Sequence, residues 1–231
     1  MIIAGLFVIL VLALFITIRQ IQQSLFSTFY RITGSTTGAV WFSSLVYLPG
    51  TFIHELSHLV FAIATLHEVV AFNLIPHTKQ RGEKMEIHMG SITYYPKDPL
   101  RGFIVGVAPF LVGIVSLYIL FITRPYVVGD WWSMALWAYG VFVIASTMFT
   151  SPSDLKDVPI VTLFIAAIAL AMYFLVPETF VIIGSWISES PLIPFVAQVN
   201  WYLSFALGGN ILLYICLQSL IRVYESLRSR G

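Results

Sequence analysis

Long apolar runs separated by short polar segments constrain this chain more than any other feature of its sequence. A helix needs about 20 consecutive apolar residues to cross the hydrocarbon core of a bilayer. Six runs come near that length: residues 2–18, 38–66, 102–122, 131–149, 158–176 and 201–223. We therefore predict an all-α polytopic membrane protein with about six transmembrane helices.

The composition agrees with a lipid bilayer as the surrounding solvent. Hydrophobic residues make up 58% of the 231 residues and charged residues 10%, whereas about a quarter of an ordinary globular domain is charged. The net charge of +1 gives no basic field, so nucleic acid is excluded as a partner. The single cysteine, Cys216, cannot form an internal disulfide. The first run lacks the flanks of a signal peptide, and we expect it to be a retained helix.

The polar stretch at residues 67–101 is too short to form a separate domain, so residues 1–231 are predicted to be one membrane domain. Alternation over Met85–Met89 and the run Ser91–Tyr95 favour short strands. Together with residues 69–74 they predict a small hairpin or sheet beside the membrane. We expect Pro49–Gly50 to interrupt the second helix. Residues 180–199, with two prolines, are expected to be an interfacial or re-entrant connector.

The positive charges give an expectation for orientation, because cytoplasmic loops tend to collect Lys and Arg. In a six-helix arrangement both chain ends share one side. That side would then carry Lys79, Arg81, Lys84, Lys97, Arg101, Lys156, Arg222, Arg228 and Arg230, against Arg19, Arg31 and Arg124 on the other. This predicts that both termini are cytoplasmic.

One apolar segment contains the sequence His54-Glu55-Leu56-Ser57-His58. On a helix, positions four apart share a face, so both imidazoles can reach one metal ion. In this HExxH motif the carboxylate is not a ligand but takes a proton from a metal-activated water. The alternative is a buried polar cluster that only joins helices. Ionisable residues inside a membrane segment favour the functional interpretation, with zinc as the metal.

Catalytic zinc usually has three protein ligands, so a third must come from elsewhere in the chain. The other histidines, His67, His77 and His88, fall in the polar stretch and are expected to be solvated loop residues. Residues 150–157 form a polar turn with two aspartates, which the six-helix arrangement places at the same membrane side as the end of the HExxH helix. Asp154 is the first candidate and Asp157 the reserve, and a helix N-cap is the alternative role.

An apolar HExxH helix, a strand-like segment after it and an aspartate turn two helices later resemble the site-2 protease family of intramembrane zinc metalloproteases. The resemblance covers about residues 38–160. It implies that His54, His58 and Asp154 bind Zn²⁺ and that Glu55 is the catalytic base. The sequence departs from the family pattern in three places. Ser57 replaces a common glycine, Thr150 and Ser151 stand before the proline, and no glycine follows either aspartate.

In that family an edge strand near the site holds the substrate in extended form. The resemblance assigns this role here to Gly90, Ser91, Ile92 and Thr93, and an ordinary hairpin is the alternative. The resemblance also implies that the partner is a membrane protein or peptide. The oligomeric state stays open.

Other functions compete with this one. A membrane protease with a downstream glutamate ligand would use Glu178, Glu189 or Glu225. A membrane scaffold would keep the histidines but tolerate loss of Glu55. A transporter is disfavoured because the intramembrane ionisable residues concentrate at one motif. A serine protease at Gly184–Ser188 lacks a neighbouring histidine.

Gly102, Gly106 and Gly113, with Pro109, indicate close packing or a kink in the third helix.

Overall fold

The computed structural model describes residues 2–73, 77–81, 84–88, 91–95, 97–127, 129–149, 154 and 156–228. Within this part of the chain there are seven helices and four strands. The helices are α1 (Ile2–Thr33), α2 (Thr36–Ala64), α3 (Pro99–Val127), α4 (Trp131–Thr147), α5 (Val158–Leu175), α6 (Glu178–Glu189) and α7 (Leu192–Arg228). The strands are β1 (Val69–Asn73), β2 (His77–Arg81), β3 (Lys84–His88) and β4 (Ser91–Tyr94).

Four of the described helices, α1, α3, α5 and α7, are long and apolar enough to cross a membrane. They make the chain compatible with a membrane protein. The six predicted spans are not all shown, because two further candidates fall short. Helix α2 has 29 residues, but it carries the polar residues of the HExxH motif, and α4 has 17 residues.

One prediction about helix continuity is wrong, because helix α2 runs through Pro49–Gly50 without a break. The predicted connector at residues 180–199 is largely helical and contains most of α6 and the first turns of α7. Pro191 precedes α7 and Pro194 lies in its first turn, where backbone N–H groups have no helical partner and proline is tolerated.

The strands confirm the predicted β insertion after the HExxH helix. Strand β1 pairs antiparallel with β4, and β2 pairs antiparallel with β3. Ser91 lies opposite Asn73 and Ile92 opposite Phe72. Within the described residues β4 pairs only with β1, so its other edge is free of a strand neighbour.

Two apolar clusters hold the helices together. The larger joins α1, α3, α4 and α7 around Leu14, Leu117 and Leu203. The smaller surrounds Tyr47 of α2, which is 1% exposed and packs with Ile21 of α1. Helix α5 contributes only one buried residue, Val161, which suits a helix that faces lipid on most sides.

Helices α1 and α7 run parallel, and this overturns the expected placement of the chain ends. Three side-chain contacts follow the same order along both helices: Asn200 to the carbonyl of Ile3, Gln218 to Ser24, and Arg31 to Glu225. The two ends of the described chain, Ile2 and Arg228, therefore lie at opposite ends of this helix pair. The prediction that both termini share one side of the membrane is wrong.

The same finding removes the basis for assigning a cytoplasmic side. The described arginines at the C-terminal end of α7, Arg222 and Arg228, lie on the side that holds Arg19, Arg31 and Arg124. Of the described Lys and Arg residues, six are then counted on one side of the bundle and five on the other. A nearly even distribution gives no preference for either orientation.

Candidate metal centre

Three side chains from two distant parts of the sequence converge beside α2. His54, His58 and Asp154 each offer a ligand atom, and these atoms lie within 4.8 Å of one another. The carboxylate Oδ2 of Asp154 is 3.6 Å from Nε2 of His58 and 4.0 Å from Nε2 of His54. His58 is buried and the other two are partly buried. This group can hold a metal ion.

The backbone fixes which nitrogen of His54 faces this group. Its Nδ1 is 2.6 Å from the carbonyl oxygen of Thr147. A carbonyl can only accept, so Nδ1 carries the proton and Nε2 presents a lone pair towards Asp154. Thr147 is the last residue of α4, and the last four carbonyls of a helix lack helical partners. The end of α4 thus provides the acceptor that orients His54.

His58 is oriented in the same way by α3. Its Nδ1 donates to the carbonyl oxygen of Val105 at 2.8 Å, and its Nε2 is buried without a hydrogen bond. In a regular helix the carbonyl of Val105 would accept from the N–H of residue 109. That residue is proline and has no N–H. The prediction of close packing or a kink around Pro109 does not include this free carbonyl, although a proline four residues after Val105 is the signal for it.

The chemistry of the three atoms fits a cation. Two imidazole lone pairs and a carboxylate oxygen are all acceptors, and in a buried setting they repel one another unless a positive charge lies between them. Tetrahedral zinc with bonds of about 2.0–2.1 Å needs nitrogen and oxygen ligands of this kind. The donor set therefore fits zinc as well as other metal ions that histidine and carboxylate bind.

Two glycines of α3 allow the aspartate turn to approach. A Cβ at Gly106 would overlap the carbonyl oxygen of Asp154, and a Cβ at Gly102 would overlap the carboxylate of Asp157. The predicted close packing of these glycines is confirmed. Gly113 likewise allows close approach, because a Cβ there would overlap the side chain of Met148, the C-cap residue of α4.

The two aspartates occupy different positions. Asp154 belongs to the metal-binding group, and within the described residues Asp157 does not. Asp157 is the N-cap residue of α5, although its side chain makes no capping hydrogen bond. The helix N-cap position and the place of ligand candidate thus belong to different residues.

Glu55 follows His54 on α2 and is 8% exposed. Among the described residues its carboxylate is not part of the group formed by His54, His58 and Asp154. Ser57, two residues later in the motif, donates to the carbonyl of Ile53 and so has a structural partner.

Strand β4 lies near the aspartate turn. Burial raises the pKa of its residue Tyr94, and the negative charges of Asp154 and Asp157 raise that pKa further. Of the predicted substrate-binding residues, Ser91, Ile92 and Thr93 lie in β4. Gly90 is outside the described residues, as are residues 150–153 of the turn.

His67 does not fit the prediction of a solvated loop residue. It is 6% exposed and lies between the end of α2 and β1. Its Nδ1 is hydrogen-bonded to the hydroxyl of Thr65 at 2.8 Å, and its ring meets the ring of Tyr94 edge-on. His77 and His88 are in strands rather than loops and face each other in the β2–β3 register.

Comparisons of the chain with protein-family models, with curated proteins and with solved structures found no match. The resemblance to the site-2 proteases therefore stays a prediction from the sequence.

Proposed function

We propose that this chain is an intramembrane zinc metalloprotease that hydrolyses peptide bonds in or next to transmembrane segments of substrate proteins. The observation that carries the proposal is the convergence of His54, His58 and Asp154 next to a buried glutamate. Each imidazole is held in one tautomer by a backbone carbonyl. Such secondary hydrogen bonds are typical of metal ligands and orient them before the metal binds.

In this proposal His54, His58 and Asp154 would hold Zn²⁺, which would supply Lewis-acid activation of a water molecule. Glu55 would take a proton from the water as its oxygen bonds to the peptide carbonyl carbon, and would pass that proton to the amine nitrogen as the C–N bond breaks. Its burial beside the histidines suits this role, because a carboxylate shielded from bulk solvent retains the proton between the two steps. In this proposal Asp157 does not bind the metal, so it is the control residue for Asp154.

The depth of the site supports a membrane-embedded substrate. Arg101 and Arg124 of α3 are separated by 22 uncharged residues, a rise of about 34 Å, close to the thickness of a hydrocarbon core. Arg101 donates to the carbonyl of Thr65 at the end of α2. His58 and His54 lie about 10 and 16 Å along α2 from Thr65, well inside this layer.

We further propose that α2 and α4 cross the membrane beside the four apolar helices, which gives the six spans that the sequence predicts. Six crossings alone would make α7 antiparallel to α1. The observed parallel pair requires one additional passage, and α6 is the helix available for it. Its 12 residues rise only about 18 Å, which is less than the thickness of a hydrocarbon core. In this proposal α5 and α6 are therefore two helices of unequal length that run in opposite directions.

For the substrate we propose strand addition at β4. A peptide bond inside a helix is shielded by its own hydrogen bonds, so a protease must hold the cleaved stretch in extended form. The free edge of β4 offers backbone groups for this at Ser91, Ile92 and Thr93. Gly90 would extend the same edge.

Bound zinc per chain in detergent-purified protein tests the ligand set, by elemental analysis of the wild type and single variants. We expect about one zinc per chain in the wild type, loss in His54→Ala and Asp154→Asn, and retention in Glu55→Gln and Asp157→Asn. Absence of zinc from the wild type, after zinc has been supplied, would refute the proposal.

A second assay separates catalysis from binding. Wild type and Glu55→Gln are reconstituted with reporter proteins that carry single transmembrane segments, and cleavage is followed by electrophoresis. We expect cleavage by the wild type and none by Glu55→Gln, although both hold zinc. Absence of cleavage by both proteins would favour a scaffold with a structural metal site.

A further inference from the structure

A cavity of about 280 Å³ lies between α1 and α2, apart from the metal-binding group. Its polar lining comes from both helices: Arg19, Gln22, Gln23, Ser43, Ser44 and Tyr47. Arg19 and Gln23 are exposed, so the cavity is reached from the outside of the bundle. Ser44 and Tyr47, at 5% and 1% exposure, form its buried wall.

The hydroxyl groups of this wall lack the partner that several other helical hydroxyl groups in this chain have. The side chains of Thr17, Thr28, Ser204 and Ser219 each donate to the carbonyl four residues earlier. The hydroxyls of Ser43, Ser44 and Tyr47 are buried and have no hydrogen-bond partner among the described residues. Three buried hydroxyl groups without hydrogen bonds within five residues lower the stability of the fold unless a ligand supplies the missing partners.

Arg19 supplies a positive charge at the mouth of the cavity. Its guanidinium lies over the ring of Phe15, with Cζ 4.3 Å from the ring centroid. Stacking of this kind occupies the face of the guanidinium and leaves the N–H groups at its edge free to donate. Within the described part of the chain, no carboxylate pairs with Arg19. An anionic, oxygen-rich group fits both the arginine and the hydroxyl donors.

The depth of the cavity identifies the source of that group. Tyr47 and Ser43 lie about 27 and 33 Å along α2 from Thr65, whose carbonyl accepts from Arg101. The proposed function places Arg101 at one boundary of the hydrocarbon layer. They are therefore near the opposite boundary, where phospholipid headgroups lie. Arg19 directly follows the apolar run of residues 2–18, which places it at a boundary as well. We propose that this cavity binds the phosphodiester headgroup of a membrane phospholipid.

In the bound state Arg19 donates its edge N–H groups to the phosphate oxygens, and the hydroxyls of Ser43, Ser44 and Tyr47 donate to the headgroup. The lipid joins α1 to α2 at the end of the bundle remote from the β strands. Because Tyr47 and His54 are seven residues apart, on one face of α2, the lipid also steadies the helix that carries the HExxH motif.

The experiment uses the full chain, delipidated in dodecyl maltoside. Native mass spectrometry counts the lipid bound after addition of dioleoyl phosphatidylglycerol, of dioleoylglycerol, which lacks the phosphate, or of inorganic phosphate. We expect one tightly retained phosphatidylglycerol per wild-type chain and no comparable retention of dioleoylglycerol. Arg19→Gln is expected to weaken retention about tenfold, since it removes a charge-assisted hydrogen bond. The matched control Arg222→Gln, at an exposed arginine of α7, is expected to retain the lipid.

Tyr47→Phe provides a second readout, because it removes the hydroxyl but keeps the ring that packs against Phe142. We expect its melting temperature without lipid to equal or exceed that of the wild type, and its gain on lipid addition to be smaller. Equal lipid retention by Arg19→Gln and Arg222→Gln would overturn the proposal. So would equal binding of dioleoylglycerol, or saturation of the site by inorganic phosphate alone.

Discussion

The imidazole Nδ1 of His58 lies 2.8 Å from the carbonyl oxygen of Val105, so α3 orients a candidate metal ligand of α2. Val105 is four residues before Pro109, which is fully buried. Because proline has no N–H, the helix leaves this carbonyl for His58. A proline that would otherwise weaken α3 thus has a specific use at the site.

Pro109→Ala tests this relationship. The alanine N–H would compete for the carbonyl of Val105 and loosen the orientation of His58. We expect the affinity for zinc to fall about tenfold or more, as is typical when a partner of a metal-ligating histidine is disturbed. Competition with a zinc chelator measures this affinity. Pro49→Ala is the matched control, since Pro49 is also inside a helix but is exposed. Equal zinc affinities in both variants would contradict the assigned role of Pro109.

The packing of Gly106 against the aspartate turn gives a second prediction. In Gly106→Ala the added methyl group would overlap the carbonyl oxygen of Asp154 and displace the turn from α3. We expect zinc binding to weaken by at least about tenfold, because a displaced carboxylate no longer completes the site. Gly140→Ala is the control, since its added Cβ would meet Leu120 only at an ordinary contact distance of 3.5 Å. Unchanged zinc binding in Gly106→Ala would show that the turn adapts without loss.

The site was predictable where it depends on local spacing. The separation of His54 and His58 fixes a common helix face, and alternation of residues revealed the strands. Asp154 was named from its place in a polar turn, but its separation from Asp157 depends on how Gly102 and Gly106 admit the turn against α3. That contact is between segments about 50 residues apart in the sequence and leaves no periodic signal.

The predictions that failed depended on tertiary packing. The expected orientation assumed that each long apolar run crosses once and that residues 180–199 do not cross. The parallel arrangement of α1 and α7 depends on contacts such as that of Asn200 with Ile3, which are 197 residues apart in the sequence and leave no periodic signal. His67 was assigned to a loop from its polar neighbours, whereas the ring of Tyr94, 27 residues later, covers it.

The end of α2 supports a prediction on stability. The N–H of His67 donates to the carbonyl of Ala62 and the N–H of Leu66 to that of Ile63, which is the hydrogen-bond pattern of a Schellman cap. Leu66 has a φ of 63°, in the left-handed region that usually takes glycine.

Leu66→Gly relieves this strain, and Leu66 is 69% exposed, so little packing is lost. We expect the free energy of unfolding to rise by about 0.5–1 kcal/mol, the left-handed penalty less the entropy cost of glycine. Thermal denaturation in detergent measures it. Gly34→Ala is the converse control, because Gly34 has a φ of 65° and the alanine should lower stability by about 1 kcal/mol. A lower melting temperature in Leu66→Gly would show that the leucine side chain makes a contact that outweighs the strain.

The buried His67 predicts a dependence of stability on pH. Burial lowers the pKa of His67 below its usual value of 6.5, and the positive charges of Lys97 and Arg101 lower it further, against a smaller opposing effect of Asp98. A histidine with a lowered pKa in the folded state binds its proton more readily when unfolded. The unfolded chain therefore gains protons first as the pH falls below about 6.5, and folding stability decreases.

The loss should continue until the pH passes the lowered pKa of the folded state, with a slope of at most about 1.4 kcal/mol per pH unit. In His67→Gln this contribution disappears, so its stability should fall less than that of the wild type between about pH 7 and pH 5. Thr65→Val is the control, because it removes the hydroxyl partner of His67 but leaves the titrating ring. Thermal denaturation across this pH range decides the matter: parallel curves for wild type and His67→Gln would mean that other groups, such as the histidines of the metal-binding group, cause any acid sensitivity of the fold.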